Sequence, residues 1–243
     1  MRNLYNSIIN SIGPHPVRFF SIYHHSVFLA AQNVGLSSTI HTQCCRPLAD
    51  AGSFDKKNAK ELAQLVWSDN LLARSIGFAA INSKLNAPEL LKNSSNVNAM
   101  ELLIDKGRGK NVAILGNFPR VRQLRENNQF KSLSVFELRP PDETYFTEKD
   151  YERILPHADV VLFTAVALIN HTIFDFYKYI EKSFKILTGP SAPLYSGFLD
   201  FGIDAVCGSV VTDEEEARRS LSQGSSYRYA KGIQKVTLLR EKR

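Results

Sequence analysis

At 243 residues, 44% of them hydrophobic, the chain has enough apolar material to bury a core without disulfide or metal staples. Its net charge of +6 and pI near 9.2 permit an anionic partner, but the basic residues are scattered apart from Arg218-Arg219 and the tail from Leu239 to Arg243. That scatter argues against nucleic acid, while the basic balance suits a phosphate- or carboxylate-bearing ligand.

The opening MRNLYNSIINSIGPHP lacks the apolar block of a secretory signal, and no apolar run reaches the ~18 residues of a membrane span. Cys44 and Cys45 are adjacent and Cys207 is distant, which is no disulfide framework. A cytoplasmic protein with reduced thiols and no membrane segment is expected, with a homodimer as a reasonable prior.

From Val17 to Gln32, aromatic and β-branched residues flank the polar break Tyr23-His24-His25-Ser26, the pattern of a hairpin. Val34 to Ile40 continues the sheet, with Gly35 marking a bulge or a close backbone approach. His41 to Phe54 reads as loop. Helices follow over Asn58 to Trp67 and Asn70 to Leu85, and the polar stretch from Asn86 to Asn98 reads as a linker. Four short continuous apolar runs come next, at Val112, Ser132, Ala158 and Phe184, separated by helical segments at Arg120 to Asn127, Glu148 to Leu155 and Leu168 to Lys182. Continuous runs alternating with helices indicate a parallel sheet covered on both faces. A helix at Asp213 to Ser222 and strands at Ala205 to Val210 and Gln234 to Leu239 complete it. The fold class is α/β, with a small α+β unit over residues 1–97 and a Rossmann-like, mostly parallel unit over 98–243.

Ligands of such sheets bind outside the carboxyl ends of the strands, so the residues just after each run are the informative ones. After the first run come Gly116, Asn117, Phe118 and Pro119, a tight turn into a helix whose N–H groups could hold an anion. Glu137 ends the second strand 21 positions after Gly116, the place of a ribose-binding carboxylate. The first turn lacks the G-x-G-x-x-G glycines, so Glu137 reads either as a ribose ligand of a nucleoside cofactor or as a solvated strand end. The third strand runs into Thr164, Asn170, His171 and Thr172. Asn170 and Thr172 suit helix capping, and His171 suits either acid–base work or a helix surface. The fourth ends in Gly189-Pro190-Ser191-Ala192-Pro193, where two prolines stiffen the loop around the Ser191 hydroxyl. His41-x-x-Cys44-Cys45 collects three soft donors that could bind zinc or copper, although the spacing is not a standard zinc pattern, and His24-His25 is a weaker alternative. No G-x-S-x-G elbow, P-loop or H-E-x-x-H is present.

The ordered series G-N-F-P, V-F-E, A-D-V-V-L-F-T, A-L-I-N-H-T, G-P-S-A-P-L and G-I-D-A-V-C-G, with V-G-L-S-S-T and S-I-G-F-A-A-I-N-S before it, resembles the putative heavy-metal chelation family of prokaryotic proteins. The resemblance implies an enolase-N-terminal-like unit followed by a Rossmann-like unit, with a ligand site in the cleft between them. Carried over, that site comprises Gly116, Phe118, Pro119, Glu137, Thr164, Asn170, Thr172, Gly189, Pro190, Ser191 and Pro193, faced by Gly35 and Asn82. Ala165 stands where the family tends to have glycine, and Ala192 where it tends to have threonine, which would remove a hydroxyl from the ligand's reach. The expected function is binding, with or without catalysis, of a metal chelator, its precursor or a metal chelate, with a divalent heavy metal as the implied cofactor. The alternatives are an S-adenosylmethionine- or NAD-type enzyme using Glu137, and a non-catalytic metal binder using His41, Cys44 and Cys45.

Overall fold

A computed structural model describes residues 2–40, 47–92, 95 and 97–241. It opens with helix α1 (Arg2–Ser11), an element not anticipated from the sequence although Tyr5, Ile8 and Ile9 recur at helical spacing and are buried. The expected hairpin follows as β1 (Phe19–Ile22) and β2 (Ser26–Ala30), and β3 (Val34–Ser38) completes an antiparallel meander in which Leu29 pairs with Gly35.

Helix α2 (Ala59–Ala63) starts at a reciprocal cap between Asn58 and Glu61 and runs on as a 3-10 turn to Trp67. Helix α3 (Leu71–Leu85), capped by the Asn70 side chain, lies across the meander. Contact there is close enough to require glycine. A Cβ on Gly35 would sit 1.9 Å from the Ala79 carbonyl oxygen and 2.3 Å from the Ser83 nitrogen. Of the two readings of Gly35, the close approach is the one found.

The segment expected as a linker is tied down. Pro88–Lys92 forms a 3-10 turn, and the Ser95 backbone pairs with Thr237 in both directions, at 3.1 and 3.2 Å. Helix α4 (Ala99–Gly107), also not anticipated, then leads into β4 (Asn111–Leu115), α5 (Val121–Glu126), β5 (Ser132–Phe136), α6 (Tyr151–Ile154) and β6 (Val160–Thr164). Helices α7 (Val166–Ile169) and α8 (Ile173–Phe176), strand β7 (Phe184–Thr188), helix α9 (Gly197–Asp200), strand β8 (Ala205–Val211), helix α10 (Glu214–Ser222) and strand β9 (Ile233–Leu239) complete the chain. The six strands run in the order β5-β4-β6-β7-β8-β9, all parallel except β9, which returns antiparallel to β8.

The single helix expected over Leu168 to Lys182 is broken. The Asn170 Oδ1 accepts from both the backbone nitrogen of Thr172 (3.1 Å) and its hydroxyl (2.8 Å), while His171 takes a left-handed backbone at φ 67°. A short polar side chain that captures the backbone two residues on competes with helical bonding.

Apolar side chains from both sheets form one cluster, in which Tyr5 and Phe78 join Leu168, Ile173, Phe176 and Phe198. The outer face of the meander packs Phe28 and Leu36 on Ala217 and Leu221 of α10. At the rim Arg18 pairs with Glu214 at 3.2 Å, and the Arg218 guanidinium stacks 3.7 Å above the Phe19 ring.

Candidate functional site

Strand order reverses at β4. The chain goes from β4 out to β5 and returns to β6 on the other side, so the connections leaving the carboxyl ends of the adjacent strands β4 and β6 diverge and leave a crevice. Gly116 turns the chain there at φ 114°, with its missing Cβ 2.8 Å from the Thr164 methyl, so any larger residue would close the gap between the two strand ends.

This crevice is a hollow of about 320 Å³ that brings together Gly116, Phe118, Glu137, Thr164, Asn170, Thr172, Gly189 and Pro190 from the expected set. Pro119 lines an adjoining hollow of about 440 Å³, and Phe118, Thr188, Gly189, Tyr227 and Arg228 wall both.

The remaining expected residues lie behind the crevice wall. Ser191 is fully buried, and its Oγ accepts from the Ser38 backbone nitrogen at 2.8 Å. Asn82, also fully buried, donates from Nδ2 to the carbonyls of Leu36 (2.7 Å) and Pro190 (3.3 Å), stitching α3 to the meander and to the strand-end turn. Gly35 is occupied by α3, and Pro193 lines neither hollow. Ala192 sits in the core, so the hydroxyl of a threonine there would meet packed side chains before it met a ligand.

Asn86, assigned by the sequence to the start of a linker, is the strongest clamp on this turn. Its Nδ2 donates to the carbonyls of Ala192 and Ser209 (both 3.1 Å), and its Oδ1 accepts from the Leu194 nitrogen at 2.8 Å.

His171 is neither in the crevice nor on a helix surface. Its ring stands against Tyr5, Trp67 and Phe174, with centroids 5.3 to 6.1 Å away. Burial, with help from the Arg74 charge, pushes its pKa down to about 4 against a backbone hydrogen bond at Val66 that works the other way. A neutral imidazole pointed away from the crevice cannot serve as its acid or base. In the crevice itself, Glu137 Oε1 accepts from the Leu138 nitrogen at 2.9 Å. Beside it burial pushes the Tyr151 phenol up to about 12, assisted by Glu148, Asp175 and Glu137, so that hydroxyl stays protonated.

Sequence reasoning missed Ser38, Tyr151, Thr188, Tyr227 and Arg228. Tyr227 and Arg228 belong to the turn before β9, whose position over the strand ends depends on β9 running antiparallel. No local pattern announces that.

The described residues do not fit a heavy metal held directly by side chains. No three His, Cys, Asp or Glu come together among them, and burial lifts the thiol of Cys207 up to about 11, which opposes the thiolate a soft metal needs. His41, Cys44 and Cys45 lie outside the described residues. His24 and His25 meet edge to face in the β1–β2 turn, with ring centroids 4.4 Å apart. Among the described residues no helix is long and apolar enough to cross a membrane.

Residues 98–240 match a family described as "Putative heavy-metal chelation", and residues 5–85 match a second family of the same description. The chain belongs to this family. Among solved structures, a family member of unknown function from Desulfitobacterium hafniense is 25% identical, with a TM-score of 0.83 over 98% of this chain and 97% of that one. Another, from Pyrococcus horikoshii and likewise of unknown function, is 23% identical with a TM-score of 0.81 over 97% of this chain and 98% of that one, a likeness of fold. No curated protein matches the chain. The family match spans both sheets, and with them both walls of the crevice.

Proposed function

We propose that the protein binds a small metal-chelating molecule, or its metal complex, in the strand-end crevice, with the metal held by the ligand's own donor atoms. The observation that carries this reading is the composition of the wall. It offers the amide nitrogen of Asn170, the hydroxyls of Thr164 and Thr188 and the guanidinium of Arg228, with Glu137 as its single carboxylate. Such a wall hydrogen-bonds an organic anion and leaves few donors for a bare cation. The family's description agrees with that chemistry. On this reading the meander with α2 and α3 is the enolase-N-terminal-like half of the cleft, the six-stranded sheet is the Rossmann-like half, and those expected residues that line the crevice supply the contacts, while Asn82 and Ser191 hold its wall in place.

A second reading rests on one observation. Gly116 and Glu137 end adjacent parallel strands, so Glu137 stands where a ribose carboxylate would. Phe118 opposes it, because its ring lies 3.5 Å from the Cβ position of Gly116 and occupies the approach a pyrophosphate would use.

Thermal denaturation with nickel chloride, citrate, nickel–citrate, S-adenosylmethionine and NAD separates the readings. A ligand at 100 times its Kd adds about 2.7 kcal/mol, worth roughly 5–10 °C for a chain of this size. Nickel–citrate is expected to stabilise more than nickel chloride, and Asn170→Ala to diminish the effect. Equal stabilisation by nickel chloride, removed by Cys44→Ala and Cys45→Ala, would overturn the chelate reading in favour of direct metal binding. Stabilisation by S-adenosylmethionine or NAD that Glu137→Gln abolishes would overturn it in favour of the nucleoside reading.

A further inference from the structure

The larger hollow beside the crevice contains a feature that neither the family description nor the expected residue set assigns. Its floor is the edge of the sheet where Cys207 faces Thr237 and Ser209 faces Lys235 across β8 and β9. These side chains share one face, because the intervening Gly208 turns the other way, toward Ala192 and Leu194. The amino end of α4 enters from above through Asn98, Ala99 and Met100, where the Asn98 side chain and the Glu101 carboxylate already cap the helix, so the anion-binding groups of this hollow are its side chains.

Two further observations mark this hollow as a ligand site. Ser209 lines it at 3% exposure, and its buried Oγ has no hydrogen-bond partner. A buried hydroxyl left unsatisfied costs free energy that a bound ligand would recover. The charges agree with that. Arg120, Arg228 and Lys235 wall the hollow and no Asp or Glu does, and among the described residues none of the three is ion-paired.

We propose that this hollow is an oxyanion pocket, in which Ser209, Lys235 and Arg228 hold a phosphate or carboxylate group of a small molecule. Ser209 supplies the buried hydrogen bond, and the two cations supply charge at the mouth. Thr237 does not compete, since its hydroxyl donates to the Val97 carbonyl at 2.8 Å. Because Phe118, Gly189, Tyr227 and Arg228 wall both hollows, one elongated ligand could place its anionic arm here and its remaining groups in the crevice. The pocket itself rests on its own geometry and stands whether or not the crevice takes a chelate.

Calorimetric titration of the whole protein with inorganic phosphate and, separately, with metal-free citrate at low ionic strength tests the proposal and tells the two sources apart by which binds more tightly. Ser209→Ala is expected to weaken the better of the two about tenfold while leaving the melting temperature of the ligand-free protein unchanged or raised, because the lost hydroxyl satisfies nothing in the fold. Lys235→Gln, on an exposed side chain, is expected to weaken binding several-fold and to flatten its salt dependence. Failure of both anions to bind at millimolar concentration, binding by Ser209→Ala equal to wild type, or a lowered melting temperature of ligand-free Ser209→Ala would each overturn it. Phosphate binding that depends on Ser209, in a protein that nickel–citrate does not stabilise, supports the pocket while sinking the chelate reading.

Discussion

Replacing Gly35 with alanine probes how the two halves of the crevice are held in register. The new methyl would fall 1.9 Å from the Ala79 oxygen, 2.3 Å from the Ser83 nitrogen and 2.8 Å from the Asn82 carbonyl carbon. All three are backbone atoms of α3, so no rotamer change relieves the clash, and either α3 or β3 must retreat. Overpacking a closed interior costs about 1–3 kcal/mol, and rigid backbone on every side puts this site at the upper end. At roughly 2–4 °C per kcal/mol for a chain of this length, ~3 kcal/mol lowers the melting temperature by about 6–12 °C. The displacement has a second consequence, because Asn82 on the same turn of α3 bonds both Leu36 and Pro190, and moving it loosens the strand-end turn. Thermal denaturation by circular dichroism reads the first effect, and ligand titration of the folded fraction reads the second. A melting temperature within a degree of wild type would refute the close packing of β3 on α3.

Asn86→Ala removes three buried hydrogen bonds and strands the carbonyls of Ala192 and Ser209 and the nitrogen of Leu194, so urea unfolding is expected to show a loss of about 3–4 kcal/mol. A loss below about 1 kcal/mol would mean that the turn holds itself. His171 makes stability depend on acid. Its folded pKa of about 4 lies below the ordinary 6.5, so between those values the unfolded chain binds the proton that the folded one refuses, and stability falls as pH falls through that window. Allowing for its partial exposure, about 1–2 kcal/mol should be lost between neutral pH and pH 4. His171→Asn, which suits the left-handed backbone, should flatten that slope in pH-resolved urea melts, and an unchanged slope would show that His171 does not cause it.

The sequence by itself determined the parts whose cause is local. Aromatic and β-branched runs around a polar break placed the meander, and continuous apolar runs placed the six strands, to within a residue or two, because strands buried on both faces are apolar along their length. Turn chemistry identified Gly116, and the strand-end rule assembled most of the crevice, since a parallel sheet brings the residues after β4, β5, β6 and β7 to one edge. It missed α1 and α4, although Tyr5, Ile8 and Ile9 of α1 recur at helical spacing, and it ran one helix through Asn170, where a side-chain bond to Thr172 breaks it.

Only the tertiary structure decided which strand-end residues face the crevice and which face the core. Ser191 and Ala192 share a turn with Gly189 and Pro190, yet they point back toward Ser38 and into the apolar interior, because the meander and α3 dock behind that turn. Asn82 and Asn86 look like ordinary helix-end polar residues until the carbonyls they satisfy arrive from more than a hundred positions away. Ser209, Lys235 and Arg228 form a common wall only because β9 reverses direction against β8. Long-range pairing of this kind leaves no periodic trace in the chain, since the free energy that selects it comes from burial shared between distant segments.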